Sequence, residues 1–172
     1  MKNKILVVLT IVAFISTGIV QAAPPEKESI VDVALAVNAD TGEFSILIAA
    51  LQAADPAVLQ TLDGKGQFTV FAPTDAAFVA LLDELGLTAD ELLAQQDLVT
   101  QVLLYHVARG RLEATDVLGA ERINTLIKGK DGFLYQDGGV LTDNNDRTST
   151  IIATDIFTDN GVIHIIDTVV LP

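Results

Sequence analysis

The sequence predicts an α+β domain, and three observations carry that expectation. Apolar residues recur at helical spacing in successive stretches up to about Val107. From Arg111 the apolar runs shorten to strand length. Asp131-Gly132, Asp137-Gly138-Gly139, Asn144-Asn145-Asp146 and Asp159-Asn160-Gly161 then separate these runs as turns do.

Ser29, with Asp32 three residues on, reads as a helix start, continued by Ile30, Val31, Val33 and Ala34. A second helix is expected to open near Thr41-Gly42-Glu43, with Phe44, Leu47, Ile48 and Leu51 on one core-facing stripe. Asp55-Pro56 is an N-cap followed by proline at the first helical position, and Gly64-Lys65-Gly66 ends that helix. Gln67 to Ala72 alternates as a strand with both faces at least partly covered, and Pro73 stops it. Thr74 or Asp75 can cap a helix carrying Ala77, Phe78, Leu81, Leu82 and Leu85, with Gly86 as its C-terminal cap. Thr88 and Glu91 fit a capping box, and a helical stretch resumes after Gln95-Gln96-Asp97 and runs to about Val107. Strands are expected at 133–136, 140–142, 149–154 and 162–170.

The N-terminus reads as an export signal. Lys2 and Lys4 precede an apolar stretch from Ile5 to Ile15, and small residues lead to Ala22, the expected cleavage point. Residues 1–22 are thus expected to be a cleaved signal peptide, 23–28 a flexible lead and 29–172 one domain. The apolar run is shorter than the ~20 residues a bilayer span requires, so no stable membrane insertion is expected after cleavage. Secretion or a periplasmic location follows as the expectation. With no cysteine, lipidation at a cysteine, thiol catalysis and cysteine-ligated zinc are excluded, and no hydrophobic tail for a lipid anchor precedes Leu171-Pro172.

The chain carries 23 Asp and Glu against 10 Lys and Arg, and losing Lys2 and Lys4 moves its net charge from −13 to −15. Such a charge repels polyanions, so nucleic acid is not an expected partner.

Three stretches together resemble the fasciclin (FAS1) family: Phe68 to Phe78, Leu103-Leu104-Tyr105-His106-Val107, and Asn160 to Asp167 with the terminal Leu171-Pro172. They stand in the family's order and spacing, and the resemblance runs from about Ser29 to Pro172. It implies a wedge-like β-sandwich of antiparallel strands flanked by helices from the N-terminal half. It also implies a secreted or surface-attached module of cell adhesion and matrix contact, with no catalytic site and no cofactor. The expected partner is a surface or matrix protein or a neutral glycan. The alternatives are a periplasmic carrier of a small apolar ligand and an enzyme acting on an envelope polymer. The oligomeric state is left open.

By the same resemblance, Phe71, Pro73, Thr74, Asp75, Gly161, His164 and Asp167 are structural motif residues, while Tyr105, His106, Asp155 and Ile156 are candidate partner contacts. Helical spacing sets Tyr105 with Leu98 and Val102, and His106 with Val99, Val102 and Leu103, which argues for packing. His164 lies in a strand that is apolar on both faces, so it is expected to be buried and neutral, with the Thr74/Asp75 corner as its hydrogen-bond partner. Ala153 and Thr154, ahead of Asp155-Ile156, depart from the charged or Pro-containing versions of that motif. Asp143 to Asp146 lacks the alternating ligands of an EF-hand and reads as a turn, so no metal site is expected.

Overall fold

Local capping decides where the helices begin. In the computed structural model, which describes residues 28–129 and 131–172, Ser29 and Asp32 form the reciprocal capping box that opens α1 (Ile30–Thr41). The expected signal peptide and nearly all of the lead lie outside the described residues. Helix α1 runs on to Thr41 and ends on the left-handed Gly42, so the expected boundary near Thr41 is the end of one helix and not the start of the next. The second helix, α2 (Ser45–Ala53), buries Leu47, Ala50 and Leu51, and α3 (Pro56–Leu62) starts on the Asp55 cap.

Strand β1 (Phe68–Pro73) is buried along its whole length. Helices α4 (Asp75–Leu85), α5 (Ala89–Leu93) and α6 (Gln96–Tyr105) follow, and Thr88 and Glu91 form the expected capping box of α5. Helix α6 ends at Tyr105, short of the expected Val107, because Val107–Arg109 is drawn off as β2 to pair with β1. Residues Ala114–Gly119 form a short helix, α7, that the strand-like reading of this region omits. The strands β3 (Arg122–Asn124), β4 (Phe133–Asp137), β5 (Val140–Thr142), β6 (Thr148–Thr158) and β7 (Gly161–Ile166) complete the chain.

These strands form one sheet in the order β2-β1-β7-β6-β5-β4-β3. All neighbours are antiparallel except β1 and β7, which run parallel, pairing Phe68 with Gly161 through to Pro73 with Ile166. The sheet's two ends meet at the Ala108–Thr125 bridge, and the Leu126 N–H donates to the Val107 carbonyl at 2.7 Å. The architecture is therefore an α+β fold around a near-barrel.

Closure explains why β1 and β7 are apolar on both faces. Phe68, Val70, Ala72 and Ile163 face the helices and pack with Leu47, Leu51, Val102 and Leu103. Phe71 and Ile166 face the interior with Tyr105, Leu134, Leu141 and Val170. Strand β7 stops at Ile166, earlier than the expected 170, where Asp167 turns to accept the Thr150 N–H. The two-residue alternation nevertheless carries on, with Val169 on the helix side and Val170 inside.

Helices α1, α4 and α6 lie against β7, β1 and β2, and α2, α3 and α5 pack on those helices. Among the described residues no helix covers the outer face of β3–β6, as its alternating burial shows. Among the described residues, no single helix is long and apolar enough to cross a membrane.

Candidate functional site

Thr74 and Asp75 share a corner but serve different helices. The Thr74 hydroxyl accepts the Ala77 N–H and caps its own helix, α4. The Asp75 carboxylate instead reaches the start of α2 and accepts the Ser45 N–H at 3.1 Å and the Ile46 N–H at 2.8 Å. Helix α2 needs this because its own N-cap position is Phe44, which has no side-chain acceptor.

Asn160 ties together three further elements. Its Oδ1 accepts the Ile30 N–H at 2.8 Å, and its Nδ2 donates to the carbonyls of Leu62 at 2.6 Å and Gly64 at 2.8 Å. The start of α1, the end of α3 and the turn before β7 are thereby joined. Beside it, Gly161 sits so close to β1 that an added Cβ would lie 2.0 Å from the Phe68 carbonyl oxygen. Asp167 closes the other end of β7. Burial raises its carboxyl pKa, but hydrogen bonds from the Thr150 N–H and the Thr168 hydroxyl outweigh burial and hold it below its ordinary value.

His164 is fully buried and stacks on Phe71 with ring centroids 5.7 Å apart. Its partners are not at the Thr74/Asp75 corner, as the sequence suggests. Nε2 lies 2.9 Å from the Leu112 carbonyl, and Nδ1 accepts the Asp155 N–H at 3.3 Å. The difference is one of direction: His164 points into the barrel, whereas the corner faces α2. A proton on Nε2 satisfies both contacts, so the ring crosslinks the two backbone segments.

Tyr105 and His106 are adjacent but diverge. The Tyr105 ring enters the barrel interior and its hydroxyl donates to the Phe133 carbonyl at 2.7 Å. Burial, followed by the nearby Asp143 carboxylate, pushes its pKa up to about 12. His106 stays on the helix side. Nδ1 lies 2.7 Å from the Val102 carbonyl, and Nε2 accepts the Val170 N–H at 3.3 Å. Burial pushes its pKa down to about 4, against the opposing pull of the Val102 carbonyl and Asp143. Neither side chain reaches the surface, so a docking partner would not meet them.

Asp155 takes a left-handed conformation, φ 60°, within the irregular middle of β6. Its carboxylate accepts the Ala114 N–H at 2.8 Å, just as α7 begins. Ile156 packs under the helices. Both are half-buried. Phe157, the next residue, is exposed with the Arg111 guanidinium 4.8 Å from its ring centre.

Among the described residues, the outer face of β3–β6 is uncovered. Strand registers place Arg122, Tyr135, Thr142 and Thr148 in one row across it, with Asp137, Val140 and Thr150 in the next. Ile152 continues that face along β6, and the Arg122 guanidinium covers the Phe133 ring at 4.5 Å. Tyr135 is 48 % exposed and Ile152 56 % exposed. Among the described residues there is no group of three or more His, Asp or Glu side chains that could hold a metal ion.

The model for the fasciclin domain matches residues 42–172 of this sequence. The chain belongs to the fasciclin family. Protein sll1483 of Synechocystis sp. is 38 % identical over 158 residues, covering 91 % of this chain and 81 % of that protein. Cell surface glycolipoprotein MPB83 of Mycobacterium bovis is 30 % identical over 123 residues, 69 % of this chain and 49 % of that protein. In fold, the domain is similar to a FAS1 domain pair from the insect cell adhesion molecule Fasciclin I. The TM-score is 0.57 at 19 % identity, over 76 % of this chain and 46 % of that one.

In this fasciclin domain Asp75 ties α4 to α2, while His164 and Asp167 tie β7 and its end to β6. Asn160 ties together more elements than any residue singled out as a structural motif residue from the sequence, where it reads as a turn residue and as the start of the third family-like stretch. The outer face of β3–β6 also goes unremarked in the sequence reading. Its signal was the alternation of Leu134 and Gln136, both buried, with the exposed Tyr135.

Proposed function

We propose that this fasciclin domain is an exported, non-catalytic adhesion module that docks a surface or matrix protein, or a neutral glycan, on the outer face of β3–β6. The observation that carries this reading is the chemistry of that face. In a chain of net charge −13, its central rows hold Tyr135, Thr142, Val140, Thr150 and Ile152, flanked by one charge of each sign, Arg122 and Asp137. Exposed aromatic and aliphatic side chains bordered by hydroxyls suit an uncharged partner. The name of the mycobacterial relative, a cell surface protein, supports the location.

Pull-down from envelope extract and culture medium, at low and high salt, tests this reading. The wild-type domain is expected to retain a partner in high salt, and a Tyr135→Ala/Ile152→Ser variant to lose it. Equal recovery by the two proteins, or recovery by neither, would count against the proposal. Tyr105→Phe, whose ring lies inside the barrel, should leave recovery unchanged.

A further inference from the structure

Helices α2, α4, α5 and α6 leave a gap between them. It is a cavity of ≈ 160 Å³ on the helix side of the sheet, walled by side chains such as Leu47, Phe78, Leu81, Leu92 and Leu103. Among the described residues, the one ionisable side chain in its wall is His106, and both of that ring's nitrogens are taken up by the backbone at Val102 and Val170. The ring therefore offers the cavity carbon alone. A water molecule placed there would find no hydrogen-bond partner, so the space is dry. Native cores leave few voids larger than a water molecule, and each wall atom facing such a void lacks a contact on that side.

The mouth supports the same assignment. Leu85 of α4 and Leu98 of α6 line the cavity yet are 43 % and 37 % exposed, while Leu47, Phe78, Leu81, Leu92 and Leu103 are buried. Two leucines held open to solvent make an apolar path inward.

We propose that this cavity is a binding site for a small uncharged apolar molecule, the size of a single hydrocarbon ring or a short branched alkyl group. Volume sets the size, since a dry apolar cavity of about 150 Å³ takes up benzene. The wall sets the chemistry: an anion would find no donor and a cation no acceptor. Drug-sized ligands, whose pockets begin near roughly 300 Å³, are too large. The site lies on the helix side, away from the outer face of β3–β6, so the two readings can fail separately.

Toluene, with benzoate as the charged analogue, is the probe for the test, read by thermal unfolding and by methyl NMR of the whole domain. Toluene is expected to raise the melting temperature and to shift the methyl signals of Leu47, Leu81 and Leu103, while benzoate does neither. Ala50→Leu fills the cavity from α2 and should abolish the toluene response; Val99→Ile, a smaller filler from α6, serves if the first variant does not fold. An unresponsive wild type, a benzoate response equal to that of toluene, or an undiminished response in the folded filler variant would overturn the proposal.

Discussion

The backbone N–H of Asp155 donates to Nδ1 of His164, so the left-handed residue of β6 and the buried ring of β7 fix one another. The other ring nitrogen holds the Leu112 carbonyl ahead of α7. Removing this ring would leave a cavity and deprive two part-buried backbone groups of their partner.

His164→Ala is therefore expected to lower the melting temperature more than His106→Ala. Loss of His106 orphans the Val170 N–H, but the Val102 carbonyl keeps the His106 backbone N–H at 3.2 Å. Loss of His164 costs about 3 kcal/mol by the same reasoning. Equal melting temperatures for the two variants would refute this ranking.

Asn160→Ala should be among the more damaging polar substitutions. It strips the Ile30 N–H and the Leu62 and Gly64 carbonyls of their partner at once, for an expected loss of about 3 kcal/mol. Hydrogen exchange offers a local readout: protection at the start of α1 should fall before that at the centre of β1. Unchanged protection in α1 would contradict the clamp.

Gly161→Ala forces a Cβ into the Phe68 carbonyl and should separate β1 from β7, with an expected loss of about 3 kcal/mol or more. Gly42→Ala is the control. There the φ is 72° and nothing lies within 4 Å of an added Cβ, so the expected cost is only the left-handed conformation, about 1 kcal/mol. Urea denaturation of the two variants compares close approach with conformation, and similar losses would show that contact with β1 is unimportant.

The pH dependence has a definite sign at each end. His106 titrates at about 4 in the folded chain and near its ordinary 6.5 when unfolded, so between those values the unfolded chain binds the additional proton. Its contribution to stability is present above pH 6.5 and is lost as pH falls toward 4, by roughly 3 kcal/mol in all. Tyr105 works the other way: its contribution is present below pH 10 and is lost as pH rises toward 12. Urea midpoints measured from pH 7 to 4.5 should drop more in the wild type than in His106→Gln, and those from pH 9.5 to 11.5 should drop more than in Tyr105→Phe. Parallel curves would contradict the burial of these two groups.

Features set by neighbouring residues were legible in the sequence. The Ser29/Asp32 and Thr88/Glu91 boxes, the Asp55-Pro56 start and the Gly86 stop all form as the residues imply, because each needs partners no more than four or five positions away. The two-sided apolar pattern of β7 likewise announced a strand covered on both faces. Features set by distant partners were not legible. Val107–Arg109 continues the helical pattern of α6 and becomes a strand only because β1, some forty residues earlier, presents an edge. Asp75 reads as a cap for its own helix but serves α2, thirty residues back. Asp155 resembles a contact motif, yet it supplies a carboxylate to the start of α7 and an N–H to His164.

The parallel pairing of β1 with β7 also fixes when the protein can fold. A ribosome delivers every helix and six of the seven strands before it delivers residues 161–166. Until then β1 has an open edge and Phe71 lacks the ring it stacks on. A chain released at Asp159 would also lack Asn160, and with it the clamp between α1 and α3. Long-range closure of this kind comes late and slowly. The polypeptide thus cannot close this sheet until residues 161–166 have been delivered.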